Sequence, residues 1–315
     1  MTHWKTGYVQ SYNFGLQASP LRNLVIDIGY AGSLSTHLPS TRNLNQPAPS
    51  PTGSVASRRP YPQFGNVSFL DSSASANFNS LQVLIERRFY RGMQLAASYT
   101  WSKSLDTVGD GSGDASAPPY ANNVRGTMYG PSSFDERQRL VLSYVYELPF
   151  GAGRKYLGGV RGVPGWLVSG WELAGIGTFN SGRPFTVVVS KDQSNTGGSS
   201  IDRPNLVGDP YQVPGGQTVD HWFNNAAFAL APFGTLGNVG RNTLLGPRFD
   251  NIDFSLLKNT ALGEHRNLQF RAETFNLFNH PNFDLPNRTV DSAQAAGIFS
   301  AEASRQIQLA LKIVF

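Results

Sequence analysis

The segment DGSGD spaces carboxylate and hydroxyl oxygens at Asp110, Ser112 and Asp114, the alternation by which a loop can surround calcium. No glutamate closes an EF-hand loop behind it, so Asp110 and Asp114 are weak metal candidates and a mobile polar loop is the plainer reading. Gly151, Gly153, Arg154 and Lys155 suggest a phosphate cradle, yet the pattern GxxxxGK[ST] is missing and a turn with basic residues fits better. His3, His37, His221, His265 and His280 lie far apart without HExxH or another metal spacing. There is no GxSxG elbow and no acid pair that spacing alone brings together. Cysteine is absent, which removes thiolate nucleophiles, thiolate metal sites and disulfides. The expectation is a chain with no catalytic residues and no cofactor, and not an enzyme.

Composition points the same way. Charged residues are 15% of the 315, against about 25% in ordinary soluble domains, while 33 glycines, 20 prolines and 12% aromatics suit strands joined by irregular loops. The net charge of +5 comes from scattered Lys and Arg without a basic stripe, so nucleic acid is not an expected partner. The most apolar window, Trp166 to Phe179, is broken by Ser169, Gly170 and Glu172, so no helix is expected to span a membrane. Met1 to Gln10 has no charged region followed by an apolar one, so no signal peptide is recognised.

The elements that must position any site are strands. Apolar residues recur with period two: Tyr12, Phe14 and Leu16; Leu24, Ile26, Ile28 and Tyr30; Leu81, Val83 and Ile85; Met93, Leu95, Ala97, Tyr99 and Trp101; Leu140, Leu142, Tyr144, Tyr146 and Leu148. The pattern resumes from Trp171 with Leu173 and Phe179, then at Ile252, Phe254 and Leu256, at Leu268, Phe270 and Ala272, and finally at Ile307, Leu309, Leu311, Ile313 and Phe315. Leu84 interrupts one run, and Gly175 and Gly177 weaken another. No helix sustains such alternation. The fold predicted is all-β: an antiparallel, strongly curved meander of about nine long strands, of the length that crosses a bilayer when tilted.

Connections alternate in length. Short ones fall near Pro20, Arg91, 151–165 and Gly263, and long ones at about 34–77, 103–134, 182–249 and 279–299. Outer-membrane barrels segregate short periplasmic turns from long extracellular loops in this way. Aromatics gather at both strand ends, which predicts interface belts including Tyr30, Tyr99, Trp101, Trp166 and Trp171, although a soluble β core would use aromatics too. Glu86, Glu273, Arg271 and Lys312 fall on polar faces that would line a lumen. Arg87 shares the face of Val83 and Ile85, where near a strand end it can snorkel.

The phrases LQVLIERRFYRGMQLAASYTWSKSLD (Leu81–Asp106), FDERQRLVLSYVYELPFG (Phe134–Gly151), GWELAGIGTFNSGRPF (Gly170–Phe185) and FRAETFNLFNHPNF, within Gly240–Phe283, in this order resemble TonB-dependent receptors of the Oar-like kind. The resemblance implies the C-terminal portion of a large outer-membrane barrel, a single domain over residues 1–315, taking up an unidentified bulky solute. It implies as partners outer-membrane lipid and lipopolysaccharide, the barrel assembly machinery, and TonB through a plug that precedes the barrel. No signal peptide, plug or TonB box is recognised in this chain. Counting back from a last strand that runs towards the periplasm also leaves the first strand without a proper closing partner, so further strands and a plug are expected upstream. Ile307, Leu309, Leu311, Ile313 and Phe315 resemble the C-terminal assembly signal of such barrels, although a plain edge strand reads the same way. Two other readings stay open: a structural or adhesive outer-membrane barrel without transport, and a soluble β-sandwich or propeller that binds carbohydrate.

Overall fold

The computed structural model describes residues 4–108, 120–198, 202–263 and 266–315. Nine long strands follow one another: β1 (Tyr8–Leu21), β2 (Leu24–Asn43), β3 (Ser68–Tyr90), β4 (Met93–Asp106), β5 (Gln138–Glu147), β6 (Trp171–Asn180), β7 (Phe249–Ala261), β8 (Asn267–Phe275) and β9 (Gln306–Val314). Each pairs antiparallel with its neighbour in sequence, and the two-residue piece Gly130–Pro131 joins beside β4. The sheet is an open meander with β1 and β9 as its edges.

Register turns the alternation of single strands into one continuous face. A single row across the sheet runs Ala18, Ile26, Ile85, Ala97, Leu142, Gly177 and Ile252. Another runs Leu24, Arg87, Leu95, Tyr144, Gly175, Phe254, Thr274 and Ile307. A one-residue slip anywhere would send half of these side chains to the opposite face, so the pattern and the register select each other. The other face carries Val25, Glu86, Ala96, Ser143, Ile176 and Asp253 in one row. Gly175 does not break β6. The ring of Tyr144 lies where its side chain would be, so an aromatic neighbour covers the bare backbone.

Turn chemistry fixes the ends. Between β3 and β4, Arg91 and Gly92 have φ of 51° and 81°, the consecutive left-handed pair of a tight hairpin whose twist matches its strands. Asn23, at φ 68°, serves between β1 and β2.

Two sequence expectations are corrected. The loop placed at 34–77 is shorter, because β2 runs on to Asn43 and β3 begins at Ser68. Beyond Tyr30 neither face of this hairpin is uniformly apolar, so period two fades while the backbone ladder continues. Register shifts between Ser35 and Leu38 and between Leu38 and Ser40 accommodate His37 at φ 56° and Pro39, as bulges do. Tyr30 is therefore inside a strand, not at its end. The second correction concerns 151–165. This connection extends over 148–170 and contains a helix, Gly162–Val168, so it is not a short turn.

The compact apolar core lies outside the sheet. Phe185, Val187, Phe223, Ala227, Phe228, Val239, Leu244 and Ala296 form it, with Trp222, Leu285 and Val290 packed around them. All come from two of the long loops, whereas Ile307, Leu309 and Leu311 on the sheet are 66–68% exposed.

Candidate functional site

The four long connections, 44–67, 107–137, 181–248 and 276–305, gather at one end of the sheet, and their described parts pack into one body. Phe223 sits between Phe185 and Phe228, with ring centroids 5.9 and 5.8 Å away. Polar groups then tie loop to loop. Gln46 donates to Thr196 Oγ1 (3.1 Å) and accepts from the backbone of Ala121 (2.6 Å). Ser190 donates through its backbone and hydroxyl to Asp291 (2.8 and 2.6 Å), and Arg58 donates to the carbonyl of Asn195.

Arg241 is the deepest tie. Its side chain is fully buried, and it ion-pairs with Asp106 at the end of β4 at 2.5 Å. It also donates to the carbonyls of Asp106, Met128 and Val108 at 3.0, 3.0 and 3.2 Å. One guanidinium thus holds the loop 181–248 to the sheet and to the loop 107–137. A planar fork of five donors satisfies several acceptors at once, which a lysine could not. Asp106 lies on the same side as Ser98, Thr100 and Ser102 along β4, so the loop body folds over the polar face and leaves the apolar face bare.

Burial shifts several loop groups. Burial pushes the Asp202 carboxyl up, and the charge of Asp192 adds to this against hydrogen bonds from Ser194. Burial also raises Tyr211. At Asp291 burial acts in the same direction, but the two Ser190 hydrogen bonds and Lys191 outweigh it and hold the carboxyl below its usual range.

Below the loop body, on the polar face, two clefts open. The one at the rim, about 520 Å³, is lined by Ser133, Glu136, Arg139, Arg183, Arg248 and Asp284 among others. Arg139 and Arg183 share Glu136 at 3.5 and 3.4 Å, and Arg139, Arg183 and Arg248 are matched by Glu136, Asp284 and Glu302, so guanidinium donors and carboxylate acceptors face the space together. Deeper, about 370 Å³ is lined by Gln94, Ser143, Asp253, Ser255 and Glu273. The column thus carries both signs of charge at the rim and is acidic below. A polar solute can be held by such a surface through charge-assisted hydrogen bonds. Nothing in it resembles a nucleophile with its base.

The residues singled out from sequence fall as follows. Asp110 and Asp114, with Ser112, lie outside the described residues, as do His3 and His265; among the described residues no group of His, Asp and Glu could hold a metal. Glu86, Arg271, Glu273 and Lys312 are on the polar face, with Arg271 and Glu273 3.7 Å apart. Arg87 is on the apolar face and lies over the Tyr90 ring at 5.4 Å. Ile307, Leu309, Leu311 and Ile313 are on the apolar face of β9, and Phe315 follows it, 93% exposed. Tyr30 and Trp101 share a row with Phe14 and Leu81. The next row brings Asn79 opposite Lys103, and the Tyr12 and Tyr30 hydroxyls donate to Asn79 at 2.7 and 2.8 Å. Apolar rings with polar tips therefore mark the upper limit of the apolar band. Tyr99 is one row lower, and Trp166 and Trp171 lie at the opposite end. From Met93 to Trp101 the band measures roughly 27 Å along the strand, or about 20 Å once tilted.

Two residues that matter were not legible. Arg241 looks like any loop arginine, and only its burial reveals it. At Leu257 and Lys258 the alternation of β7 inverts, which is a local sign that Lys258 is covered, but its distance in sequence from Trp166 hides their contact.

The pattern of the outer membrane beta barrel domain family matches residues 1–308. No curated protein sequence matches the chain. Among solved structures it is similar to the outer membrane transporter YddB of Escherichia coli, with TM-score 0.52 and 11% identity over 99% of this chain and 33% of that one. It is also similar to FpvA of P. aeruginosa, solved with heterologous pyoverdines, with TM-score 0.45 and 11% identity over 97% of this chain and 27% of that one. The chain thus spans about a third of the length of YddB. With its apolar band facing lipid and its loops folded over the polar side, it is an outer-membrane β-barrel chain and belongs to the outer membrane beta barrel domain family.

Proposed function

We propose that the chain forms part of the barrel of a TonB-dependent receptor of the Oar-like kind, which takes up a bulky polar solute across the outer membrane. The observation that carries this is the loop body, packed on its own core and pinned by Arg241 over the polar face. A passive pore gains nothing from such a cover, whereas a gated receptor needs a surface that holds ligand before passage. The charged rim is then the first contact for a polar solute: Arg139, Arg183 and Arg248 can donate to its acidic or hydroxyl oxygens, and Glu136, Asp284 and Glu302 can accept from its hydroxyl or ammonium groups.

The open edges of β1 and β9 fit a larger barrel, since unpaired strand backbone in lipid costs several kcal/mol per group. In such a receptor the remaining strands complete the wall and a plug joined to TonB fills it. The lumenal charges Glu86, Asp253, Arg271 and Glu273 face that plug. The barrel assembly machinery recognises β9, and lipopolysaccharide surrounds the outer end of the wall. No part of this function is enzymatic.

The test is energised uptake. Cells with and without the gene are given a panel of labelled polar solutes, anionic, zwitterionic and neutral, too large for porins, with and without a protonophore. Accumulation that needs both the gene and the proton gradient supports the reading. Gene-dependent binding that the protonophore leaves unchanged for every solute supports an adhesive barrel instead.

A further inference from the structure

The connection between β5 and β6 is built, not merely closed. Its helix, Gly162–Val168, ends against Lys258, whose Nζ donates to the carbonyls of Trp166 and Ser169 at 2.8 and 2.9 Å. Those are carbonyls that a helix terminus leaves without an internal partner, and a cation there also answers the helix dipole. Nζ lies 5.1 and 5.5 Å from the ring centroids of Trp166 and Trp171, and the Trp171 indole donates to the carbonyl of Leu167 at 2.8 Å.

The placement of Lys258 decides where this helix lies. Along β7 it alternates onto the face of Ile252, Phe254 and Leu256, and across the ladder it pairs with Trp171 and Phe270. That is the apolar, lipid-facing wall. The helix is therefore docked on the outside of the wall, not beneath the lumen where a plug or soluble partner would pass.

From this position the segment presents Phe150, Tyr156, Leu157, Val163, Trp166 and Leu167, between 39% and 71% exposed. Lys155 and Arg161 are exposed among them. Apolar and aromatic side chains interleaved with cations, continuous with a lipid-facing wall, have the composition of an element lying in a membrane interface. A soluble turn has no reason to expose Val163 and Leu167 beside Trp166.

Resting on the outer-membrane orientation proposed above, we propose that residues 150–168 form an interfacial anchor embedded in the inner leaflet of the outer membrane. The apolar side chains enter the acyl region, and Lys155 and Arg161 meet anionic phospholipid headgroups. The Lys258 clamp sets the depth of the helix, so the anchor fixes the wall vertically in the bilayer.

The experiment uses the complete receptor in its own outer membrane. A photo-crosslinking phenylalanine analogue replaces Val163, Leu167, Ile28 on the lipid wall, or Ser143 in the lumen, and phospholipid adducts are read by mass. Adducts at 163 and 167 within about twofold of those at 28, and well above those at 143, are expected of an interfacial segment. A K155E/R161E variant is expected to lower the adducts at 163 severalfold and leave those at 28 unchanged. Adducts at 28 with none at 163 and 167 would overturn the anchor while sparing the barrel. An unchanged yield in the charge-reversed variant would overturn the headgroup contact. Failure at 28 as well would overturn the anchor together with the orientation on which it rests.

Discussion

Replacing Arg241 by alanine should loosen the loop body without unfolding the wall. The substitution removes the ion pair to Asp106 and the donors to the carbonyls of Asp106, Met128 and Val108. The Asp106 side chain is only 9% exposed, so its carboxylate stays desolvated without its main counter-charge. Breaking one side of a buried pair costs about 3–5 kcal/mol. Asp106 keeps a hydrogen bond from the backbone of Val108 at 3.2 Å, which argues for the lower end. About 3 kcal/mol, at 1.4 kcal/mol per decade, makes opening of the loop body roughly a hundredfold more frequent. Hydrogen exchange read by mass spectrometry resolves this, because sub-global opening sets the exchange of buried loop amides. Peptides from 181–198 and 202–248 should exchange roughly a hundredfold faster, with those of β4 to β7 unchanged. Asp106→Ala added to Arg241→Ala should cost much less than the sum of the two, since no charge is then stranded. A change under about threefold in the single variant, or simple additivity in the pair, would refute the reasoning.

Other outcomes follow from the same geometry. Leu142→Arg, in the middle of the lipid-facing row, should destabilise membrane-inserted protein by about 2–4 kcal/mol, whereas Ser143→Arg beside it faces the lumen and should cost little; urea titration in lipid vesicles compares them, and equal costs would contradict the assignment of faces. Gly170 has φ of 77°, and a Cβ there would overlap the carbonyl of Asn259, so Gly170→Ala should cost more than about 1 kcal/mol in the same titration. The loops should respond to acid in two opposed ways. The raised pKa of Asp202 contributes stability that is complete below its unfolded value near 3.8 and is lost as pH rises through the folded value. The lowered pKa of Asp291 contributes stability present above 3.8 and lost as pH falls through its folded value. Exchange measured against pH should therefore lose the first dependence in Asp202→Asn and the second in Asp291→Asn.

The wall was legible because lipid demands one apolar face of every strand, and period two records that demand directly. Ile26, Ala97, Leu142 and Ile252 could each be assigned to a face before any register was known. Legibility ended where lipid ends. Above Tyr30 the β2–β3 hairpin continues through Ser33, Ser35 and Ser40 with small polar residues, and nothing in Gly32–Asn43 distinguishes a strand with bulges from a loop. The loop core was hidden for another reason. Phe185, Phe223, Phe228 and Ala296 are scattered singly through glycine- and asparagine-rich segments, and only long-range folding makes them neighbours. Arg241 and Lys258 depend on partners that no local pattern connects.

In the orientation proposed above the long loops lie outside the cell, the 148–170 connection lies at the periplasmic face of the outer membrane, and the wall between them crosses it. The chain has no cysteine, so a single introduced thiol reports without background. Gln212→Cys in the loop body and Ala152→Cys beside β5 both replace exposed residues. Intact cells producing the protein are treated with a membrane-impermeant maleimide, before or after the outer membrane is opened. Gln212→Cys should react in intact cells, and Ala152→Cys only after opening. Labelling of Ala152→Cys but not Gln212→Cys in intact cells would invert the topology, and equal labelling of both would contradict a wall that crosses the membrane.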